Sequence, residues 1–334
     1  MNQTIILKQR PIGAPTLSNF DFVNDDSDLT PKEGEILLET TYISVDPYLR
    51  GRMSDAKSYV APFEVGQPIN SGIVAKVLVS KNTNFKEGDY VSGLLDWKTK
   101  QISNGKGLNK VNNQNNIPLS AYLGVVGMTG LTAYCGLTQI GKPKEGETLV
   151  VSGAAGAVGT IVGQIGKILG LRVIGIAGSD EKVEMLTSDF GYDEAINYKT
   201  TKDLSSAIAS AAPNGVDIYF DNVGGDISEA VLYNINQFSR IIVCGAISVY
   251  NNTTPQKNAT VQPFIVKNSA LMQGFIVSNY ASIFPEAIQK LATWLEQNKL
   301  THTETIVEGF ENTPQAFIDL LDGKNKGKMI VKTS

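Results

Sequence analysis

The sequence predicts an α/β protein whose larger part is a doubly wound parallel sheet of six strands. From residue 148 onward, short apolar runs alternate with segments of helical period, which is the order of parallel strands and crossover helices. The first of these runs leads into a glycine-rich turn. Before residue 124, short strand-like segments separated by Gly, Pro and Asn predict a second, smaller and mostly β domain built as a small barrel.

Each element of the sheet is predicted from its own stretch of sequence. Apolar runs of three to five residues predict strands, and Ile161, Ile165 and Ile168 recur at helical spacing after the first of them. The predicted strands are 149–151, 173–176, 195–197, 216–220, 240–243 and 271–274. The predicted helices lie near 157–169, 181–188, 204–211, 227–235 and 284–297.

The turn after the first strand is typical of a dinucleotide site. Gly153, Gly156 and Gly159 let the backbone turn sharply and let a pyrophosphate approach the first N–H groups of the following helix. The usual GxGxxG pattern is shifted, because Ala154 stands at the position of its first glycine. Two alternatives are a glycine-rich turn without a ligand and, since 149–166 carries no charge, a membrane span, which the glycines and the helical period disfavour.

The end of the second strand favours NADP over NAD. NAD sites commonly place a carboxylate there for the ribose 2′-hydroxyl, whereas this strand ends in the small residues 177–179. A 2′-phosphate would fit there, and Lys182 could neutralise it. Asp180 and Glu181 lie close by and weaken this interpretation. The alternative for Lys182 is a solvated charge on a helix.

Charge and cysteine content exclude several classes of function. A net charge of −4 gives no basic surface for nucleic acid or an anionic membrane. The first residues lack the apolar core of a signal peptide. Cys135 and Cys244 are the only cysteines, and both lie in apolar runs, which is typical of a reducing cytoplasm rather than a disulfide framework. We therefore expect a cytoplasmic protein with no nucleic-acid or membrane partner.

His302 is the only histidine, which argues against a catalytic zinc site. Such a site usually takes three ligands from His, Cys and carboxylates. A Ser/Cys–His triad would also have to use this one residue. We expect no metal, and we expect His302 to be an exposed turn residue.

Longer motifs extend over essentially the whole chain. They include SVDPYLRGRM at 44–53, GMTGLTAYCGL at 127–137, DNVGG at 221–225 and MQGFIV at 272–277. In these motifs the sequence resembles the zinc-independent medium-chain dehydrogenases/reductases. Within that family it is similar to the group of leukotriene B4 12-hydroxydehydrogenase/prostaglandin reductases, plant double-bond reductases and bacterial curcumin-reductase-like enzymes.

The resemblance implies a domain organisation and explains the missing zinc ligands. It implies a GroES-like catalytic domain at 1–124, an NADP-binding Rossmann domain at 125–298 and a return to the catalytic domain at 299–334. Val45 stands where zinc-dependent relatives have a cysteine, and 66–68 where they have Gly-His-Glu. The resemblance also implies a homodimer, joined through the edge strands of the two Rossmann sheets near 271–274.

The family's NADP(H) contacts fall on residues of this sequence. They are Gly156, Ala157, Val158 and Gly159 at the pyrophosphate; Lys182 and Tyr198 at the 2′-phosphate; Asn222 near the middle of the sheet edge; Cys244, Gly245, Ala246, Ile247, Ser248 and Tyr250 beside the nicotinamide ribose; Phe275, Ile276 and Val277 at the carboxamide; and Asn325 over the cofactor. Three structural alternatives remain. Asn222 could belong only to a strand-to-helix turn, Cys244 could only pack, and Phe275 could be plain strand core.

The implied reaction is NADPH-dependent reduction of the C=C bond of an α,β-unsaturated ketone or aldehyde, with hydride transfer to the β-carbon and no metal. Tyr250 is implied to donate a hydrogen bond to the enolate oxygen, and the alternative is a tyrosine that only packs. Tyr48 is implied to face the substrate. Arg50 and Arg52 are expected to pair with local carboxylates rather than to attract an acidic substrate. A quinone reductase and a non-catalytic NADPH-binding protein are the alternative functions.

Overall fold

The computed structural model describes residues 2–111, 117–257 and 259–333, and the chain divides into two compact units. Unit 1 comprises 1–123, 305–325 and 329–334, and unit 2 comprises 124–304 and 326–328. The chain thus leaves unit 2 after Glu304, beyond residue 298, where the sequence predicts the return. Gln164 holds the intervening segment in unit 2, because its side-chain oxygen accepts from the Thr301 N–H at 2.8 Å and its amide donates to the Thr301 carbonyl at 3.0 Å.

Unit 1 is mostly β, as predicted. Its strands pair as a two-stranded sheet, β1-β2, and a seven-stranded sheet in the order β14-β15-β3-β4-β5-β7, with β6 also paired to β3. The elements lying wholly or mostly in unit 1 are β1 (Gln3–Leu7), β2 (Phe20–Asn24), β3 (Ile36–Ser44), α1 (Tyr48–Arg52), β4 (Asn70–Ser80), β5 (Tyr90–Asp96), β6 (Lys100–Ser103), β7 (Asn109–Val111), β14 (Glu304–Glu308), α9 (Thr313–Leu321) and β15 (Lys328–Lys332).

Strand β3 organises this sheet. β4 pairs with it antiparallel along most of its length, β6 pairs with its first four residues, and β15 pairs with its last three. The core beneath contains Trp97, whose ring stacks on Phe20 with centroids 6.4 Å apart, while Phe317 of α9 meets Phe20 edge-on at 6.5 Å. The indole N–H of Trp97 donates to Ser71 Oγ at 2.8 Å, so this buried polar group is satisfied.

Unit 2 contains the predicted six-stranded sheet. Its elements are α2 (Met128–Cys135), β8 (Thr148–Ser152), α3 (Gly159–Ile168), β9 (Arg172–Ala177), α4 (Asp180–Ser188), β10 (Glu194–Asn197), α5 (Leu204–Ala211), β11 (Val216–Asp221), α6 (Gly225–Leu232), β12 (Ile235–Val243), α7 (Gln262–Asn268), β13 (Leu271–Gly274) and α8 (Phe284–Glu296).

The strand order confirms the doubly wound topology. The order is β10-β9-β8-β11-β12-β13, and every pair is parallel. The chain order reverses between β8 and β11, and a crevice at the carboxyl ends of the strands beside that point is where such sheets bind ligands. The central strand β8 is buried at all five positions, which explains its continuous apolar run. Within the described part of the chain, no helix is long and apolar enough to cross a membrane.

Candidate cofactor site

The glycine turn brings the start of α3 close to the end of β8. Gly153 has a φ of +58°, which a residue with a side chain rarely adopts. A Cβ on Gly159 would lie 2.4 Å from the Gly153 carbonyl oxygen and 2.6 Å from Ala154 Cα, so only glycine fits there. The first N–H groups of a helix have no intrahelical acceptor, and in α3 they fall at the turn where the sequence predicts the pyrophosphate.

A buried tyrosine anchors this helix start, and the sequence analysis did not identify it. The Tyr192 hydroxyl donates to the Gly159 carbonyl at 2.7 Å. Its ring lies so close to α3 that a Cβ on Gly163 would be 2.0 Å from Tyr192 Cζ. The third glycine of the turn and the glycine one turn later therefore serve the same helix-to-sheet packing, which holds the turn in place.

A cluster of cationic side chains lies at the carboxyl ends of β9 and β10. The Ser179 side chain caps α4 by accepting from the Lys182 N–H at 3.3 Å. A Cβ on Gly178 would lie 3.1 Å from Tyr198 Cε1 and 3.4 Å from Lys199 Cε, so both side chains cover this glycine. The structure thus brings the predicted Lys182 and Tyr198 to one place.

Two further lysines act on Lys182. Burial, as the first cause, lowers the pKa of the Lys182 ammonium, and the positive charges of Lys199 and Lys326 lower it further, against the opposing effect of Glu181. Lys199 and Lys326 were not identified from the sequence. Lys199 directly follows Tyr198 in the sequence, so it could have been noticed. Lys326 lies in the C-terminal segment and comes close to this cluster only in the folded chain.

The two carboxylates that weakened the NADP interpretation are both engaged by other elements. Asp180 Oδ1 accepts from the Asn197 side-chain amide at 2.6 Å. Glu181 forms an ion pair with Lys326. A carboxylate that selects NAD has to accept from the ribose hydroxyls, and these contacts commit both side chains elsewhere.

The ends of β8 and β11 carry a buried polar network around one carboxylate. Asp221 Oδ1 accepts from Ser152 Oγ at 2.9 Å, the Tyr219 hydroxyl at 2.8 Å, the Val223 N–H at 3.0 Å and the Gly224 N–H at 2.9 Å. Burial and the charge of Asp221 raise the pKa of the Tyr219 phenol well above its usual value. The network joins the two strands at the point where the strand order reverses.

Asn222 takes part in the same junction. Its side-chain amide donates to the Ser152 carbonyl at 2.8 Å, and its N–H donates to Ser152 Oγ at 3.0 Å. These contacts give Asn222 the turn-forming role that the alternative interpretation assigns to it. A role in cofactor binding stays a prediction.

The loop after β12 is hydrogen-bonded to this junction. The N–H groups of Cys244 and Gly245 donate to the Asp221 carbonyl at 2.8 and 3.1 Å, and Ser248 Oγ donates to the Val223 carbonyl at 2.6 Å. Burial, followed by the charge of Asp221, raises the pKa of the Cys244 thiol to about 12. Cys244 is therefore a protonated, packed thiol at neutral pH, and its predicted cofactor contact would be one of position rather than reactivity.

Tyr250 closes this loop. Its hydroxyl oxygen accepts from the Ala246 N–H at 3.3 Å, and burial, as the first cause, raises the pKa of its phenol above the usual value. The phenol is thus a neutral donor with a fixed oxygen. This geometry serves both a catalytic phenol and a tyrosine that only packs.

The side chain of Phe275 packs against two aromatic rings of unit 2. Its ring meets Phe220 edge-on with centroids 6.4 Å apart and Tyr280 at 6.1 Å. A Cβ on Gly136 would lie 2.8 Å from Phe275 Cζ, so α2 ends against this ring. Phe275 follows β13, which ends at Gly274, and is only half-buried, so it is not plain strand core; any contact of Phe275, Ile276 and Val277 with a cofactor would use the backbone, as the resemblance implies.

Two predicted site residues, Tyr48 and Asn325, belong to unit 1. Burial, followed by the charge of Asp46, raises the pKa of Tyr48, and the guanidinium of Arg52 hydrogen-bonds to its side chain. Arg52 also donates to Asn70 Oδ1 at 2.7 Å and lies over the Phe63 ring at 3.9 Å. The expected pairing of Arg52 with a carboxylate is wrong, because neutral oxygens and an aromatic ring surround its guanidinium.

The prediction that His302 is an exposed turn residue is also wrong. Its side chain is only 26% exposed, and its Nε2 lies 3.8 Å from Glu304 Oε1. The reason is the anchoring of Thr301 by Gln164, which holds this polar segment against α3. His302 lines a small cavity of unit 2 together with Thr129, Ala157, Thr160, Glu304 and Lys328. Among 2–111, 117–257 and 259–333, no group of three or more His, Cys, Asp or Glu side chains could hold a metal ion.

The doubly wound sheet, the glycine turn on its first strand and the cations at the end of its second strand define a dinucleotide-binding α/β protein. Residues 3–111 match the family model for the N-terminal domain of oxidoreductases, and 157–293 match the model described as zinc-binding dehydrogenase. The chain belongs to the medium-chain dehydrogenase/reductase family, in the group of the curcumin and prostaglandin reductases.

Relatives in this group match over their full length. The chain is 52% identical to a putative NADP-dependent oxidoreductase, YfmJ, of Bacillus subtilis, covering 99% of this chain and 98% of that protein. It is 42% identical to the NADPH-dependent curcumin reductase of Escherichia coli, covering 100% and 97%. The crystal structure of CurA in complex with NADPH from Vibrio vulnificus superposes with a TM-score of 0.95 at 43% identity, covering 99% of each chain.

Proposed function

We propose that this protein reduces the C=C bond of α,β-unsaturated ketones and aldehydes with NADPH, without a metal ion. The observation that carries the proposal is the 42% identity, over the whole chain, to an NADPH-dependent curcumin reductase. The metal-free reaction is supported by the sequence, which holds one histidine and places Val45 and Gln67 where zinc-dependent relatives are expected to have ligands. The cofactor preference is supported by the lysine cluster at the end of β9.

Different residues of unit 2 would bind different parts of NADP(H). Gly159 allows close backbone approach at the start of α3, where Gly156, Ala157 and Val158 would face the pyrophosphate. Lys182 and Tyr198 would hold the 2′-phosphate. The loop from Cys244 to Tyr250 and the backbone of Phe275, Ile276 and Val277 would hold the nicotinamide half. Asn222 and Asn325 complete the proposed set.

When bound, the dihydronicotinamide supplies a hydride to the β-carbon of the substrate. Negative charge then develops on the carbonyl oxygen, which needs a hydrogen-bond donor. Tyr250 suits that role, because its raised pKa keeps the phenol protonated and the Ala246 N–H fixes its oxygen. Its O–H would donate to the enolate oxygen, and either this phenol or water would protonate the α-carbon. Tyr48 would contact the substrate.

We also propose a domain organisation, a cellular location and an oligomeric state. Residues 1–124 with most of 299–334 would form the catalytic domain, and 125–298 the NADP-binding domain, to which the structure adds 299–304 and 326–328. The protein would act in the cytoplasm, in keeping with its free Cys135 and Cys244, and as a homodimer. The dimer proposal is supported by the edge position of β13 and by exposed apolar side chains around it, Leu271 and Val266, which are 48% and 78% exposed.

The test is NADPH oxidation by the purified protein with three substrates. A medium-chain trans-2-enone, the matching saturated ketone and a quinone would each be assayed with and without a chelator. Consumption with the enone alone, unaffected by the chelator, is the expected result. Consumption with the quinone alone would replace the proposal with a quinone reductase. NADPH binding without consumption in any assay would favour a non-catalytic NADPH-binding protein.

A further inference from the structure

Lys326 lies in a short segment that comes from the C-terminus and packs on the cofactor-binding unit. We name residues 326–328 the strap, and its contacts place it in unit 2. The Gly327 N–H donates to the Ala155 carbonyl at 2.8 Å, and the Lys328 N–H donates to the Thr303 carbonyl at 2.9 Å. The strap therefore runs beside the glycine turn, fixed by backbone hydrogen bonds.

The backbone of the strap has little room to move. Gly327 has a φ of +61°, and a Cβ there would lie 1.9 Å from the Thr303 carbonyl oxygen. Any adjustment at this place thus falls to the side chain of Lys326, whose four methylene groups give its ammonium several ångströms of reach. In this structure the ammonium pairs with Glu181, on the first turn of α4.

The Glu181 carboxylate stabilises the start of α4 but would oppose the binding of a phosphate. An acidic side chain in the first turn of a helix interacts favourably with the helix dipole. The same charge, one residue from Lys182, would repel a doubly negative 2′-phosphate bound there. Asp180 poses the same problem, and the Asn197 amide holds its carboxylate at 2.6 Å. Glu181 instead pairs with the positive charge of Lys326, and the Lys326 ammonium can also pair with a bound phosphate.

The lysines around this place repel each other. Lys199 and Lys326 each act on Lys182 as like charges, and this repulsion adds to burial in lowering the pKa of Lys182. A bound dianion would reverse the sign of that interaction and attract all three ammonium groups. Lys326 is paired to Glu181, a carboxylate on the first turn of α4.

We propose that Lys326 and Glu181 form an exchangeable ion pair that sets the preference for a 2′-phosphate: Lys326 neutralises Glu181 in the free protein and contacts the phosphate when it binds. The inference rests on the proposed NADP(H) function. It assigns a specificity-determining role to a strap residue and to a carboxylate that by itself would favour NAD.

The experiment measures binding rather than turnover. Isothermal titration calorimetry on the full chain would use 2′,5′-ADP and 5′-AMP as probes, because they differ only in the 2′-phosphate. The variants are Lys326→Met, Glu181→Gln and the double variant. Lys167→Met is the matched control, since Lys167 pairs with Asp193 at 2.8 Å at the opposite end of β9.

The expected pattern has four parts. Lys326→Met weakens 2′,5′-ADP binding by roughly tenfold or more and leaves 5′-AMP unchanged, because it removes a cation and uncovers Glu181. Glu181→Gln strengthens 2′,5′-ADP binding. The double variant binds 2′,5′-ADP more tightly than Lys326→Met, because the repelling carboxylate is gone. Lys167→Met changes neither probe.

Four results would overturn the inference. Equal losses for both probes in Lys326→Met would make the lysine a structural anchor of the strap. A double variant no better than Lys326→Met would remove Glu181 from the mechanism. A wild-type preference for 2′,5′-ADP that Lys326→Met leaves intact would overturn the exchange alone, whereas equal wild-type affinities for the two probes would overturn the NADP(H) assignment with it.

Discussion

Two polar clusters lie at the carboxyl edge of the same six-stranded sheet, and they are built in opposite ways. At the ends of β8 and β11, the buried carboxylate of Asp221 accepts four hydrogen bonds on one oxygen. At the ends of β9 and β10, Lys199 and Lys326 lie close enough to Lys182 for their positive charges to contribute to lowering its pKa. The first cluster gathers hydrogen-bond donors around one acceptor, whereas the second brings charges of one sign close together.

The difference separates scaffold from ligand site. A buried polar group whose bonds are all made by the protein stabilises one arrangement of the backbone. Like charges held close together repel one another, and a bound anion relieves that repulsion. The Asp221 cluster therefore supports the junction to which the Cys244–Tyr250 loop is hydrogen-bonded, while the lysine cluster is the part that we propose recognises a ligand. Substitutions in the two clusters should change different quantities.

The largest expected effect is on stability, at Asp221. Asp221→Ala leaves the donors of Ser152 and Tyr219 and two backbone N–H groups without their acceptor, so we expect the free energy of unfolding to fall by about 3–5 kcal/mol. Urea unfolding followed by circular dichroism measures it. Asp226→Ala, an exposed carboxylate in the first turn of α6, is the control and should cost less than about 1 kcal/mol. Equal losses in the two variants would contradict the scaffold role.

The next effect is on turnover, at Tyr250. Tyr250→Phe keeps the ring and removes the donor, so kcat with an enone should fall roughly 10- to 100-fold while the NADPH dissociation constant changes by less than about threefold. Because the pKa of this phenol is raised, wild-type turnover should show no loss from its deprotonation up to about pH 10. Tyr233→Phe, at a tyrosine that is 62% exposed, is the control. Unchanged kcat in Tyr250→Phe would leave Tyr250 as a packing residue.

At Lys182, binding and stability should change in opposite directions. Lys182→Met should weaken NADPH binding roughly tenfold and leave NADH binding unchanged. The pKa of Lys182 is lowered in the folded protein, so its charge destabilises the free fold at neutral pH, and that cost disappears as the pH rises past the usual value of 10.5. The variant should therefore unfold at a slightly higher temperature than the wild type at pH 7 and without cofactor. A lower unfolding temperature would mean that Lys182 belongs to the scaffold.

The sequence predicted the first cluster's position better than its chemistry. Apolar runs and glycine spacing depend on local backbone geometry, so the six strands, four of their five crossover helices and the turn at Gly159 could be read directly, whereas α7 (Gln262–Asn268) was missed. The DNVGG motif could be noticed in the same way. That Asp221 is buried and bonded to Ser152 and Tyr219 depends on two strands 69 residues apart in sequence becoming neighbours, which no local pattern records.

The second cluster shows the same limit more sharply. Lys182 was found because it follows the second strand, but Lys326 lies 145 residues from its partner Glu181. A basic residue in a glycine-rich tail has no local feature that distinguishes it from a solvated charge. The prediction that His302 is exposed failed for a related reason. Its polar neighbours in the sequence predict exposure, and only Gln164, far away in sequence, holds the segment against α3.

The smallest expected effect is on stability. It tests whether hydrogen bonding, rather than burial, distinguishes the two kinds of cluster. Thr129 and Thr160 line the same cavity and are 5% and 2% exposed. Thr160 Oγ1 donates to the Gly156 carbonyl at 3.1 Å, whereas Thr129 Oγ1 has no partner among the residues that the structure describes. Thr160→Val should cost about 1 kcal/mol, and Thr129→Val should be neutral within about 0.5 kcal/mol or stabilising. Both follow from urea unfolding. A larger loss for Thr129→Val would show that its hydroxyl is bonded in solution and that the cavity belongs with the satisfied network.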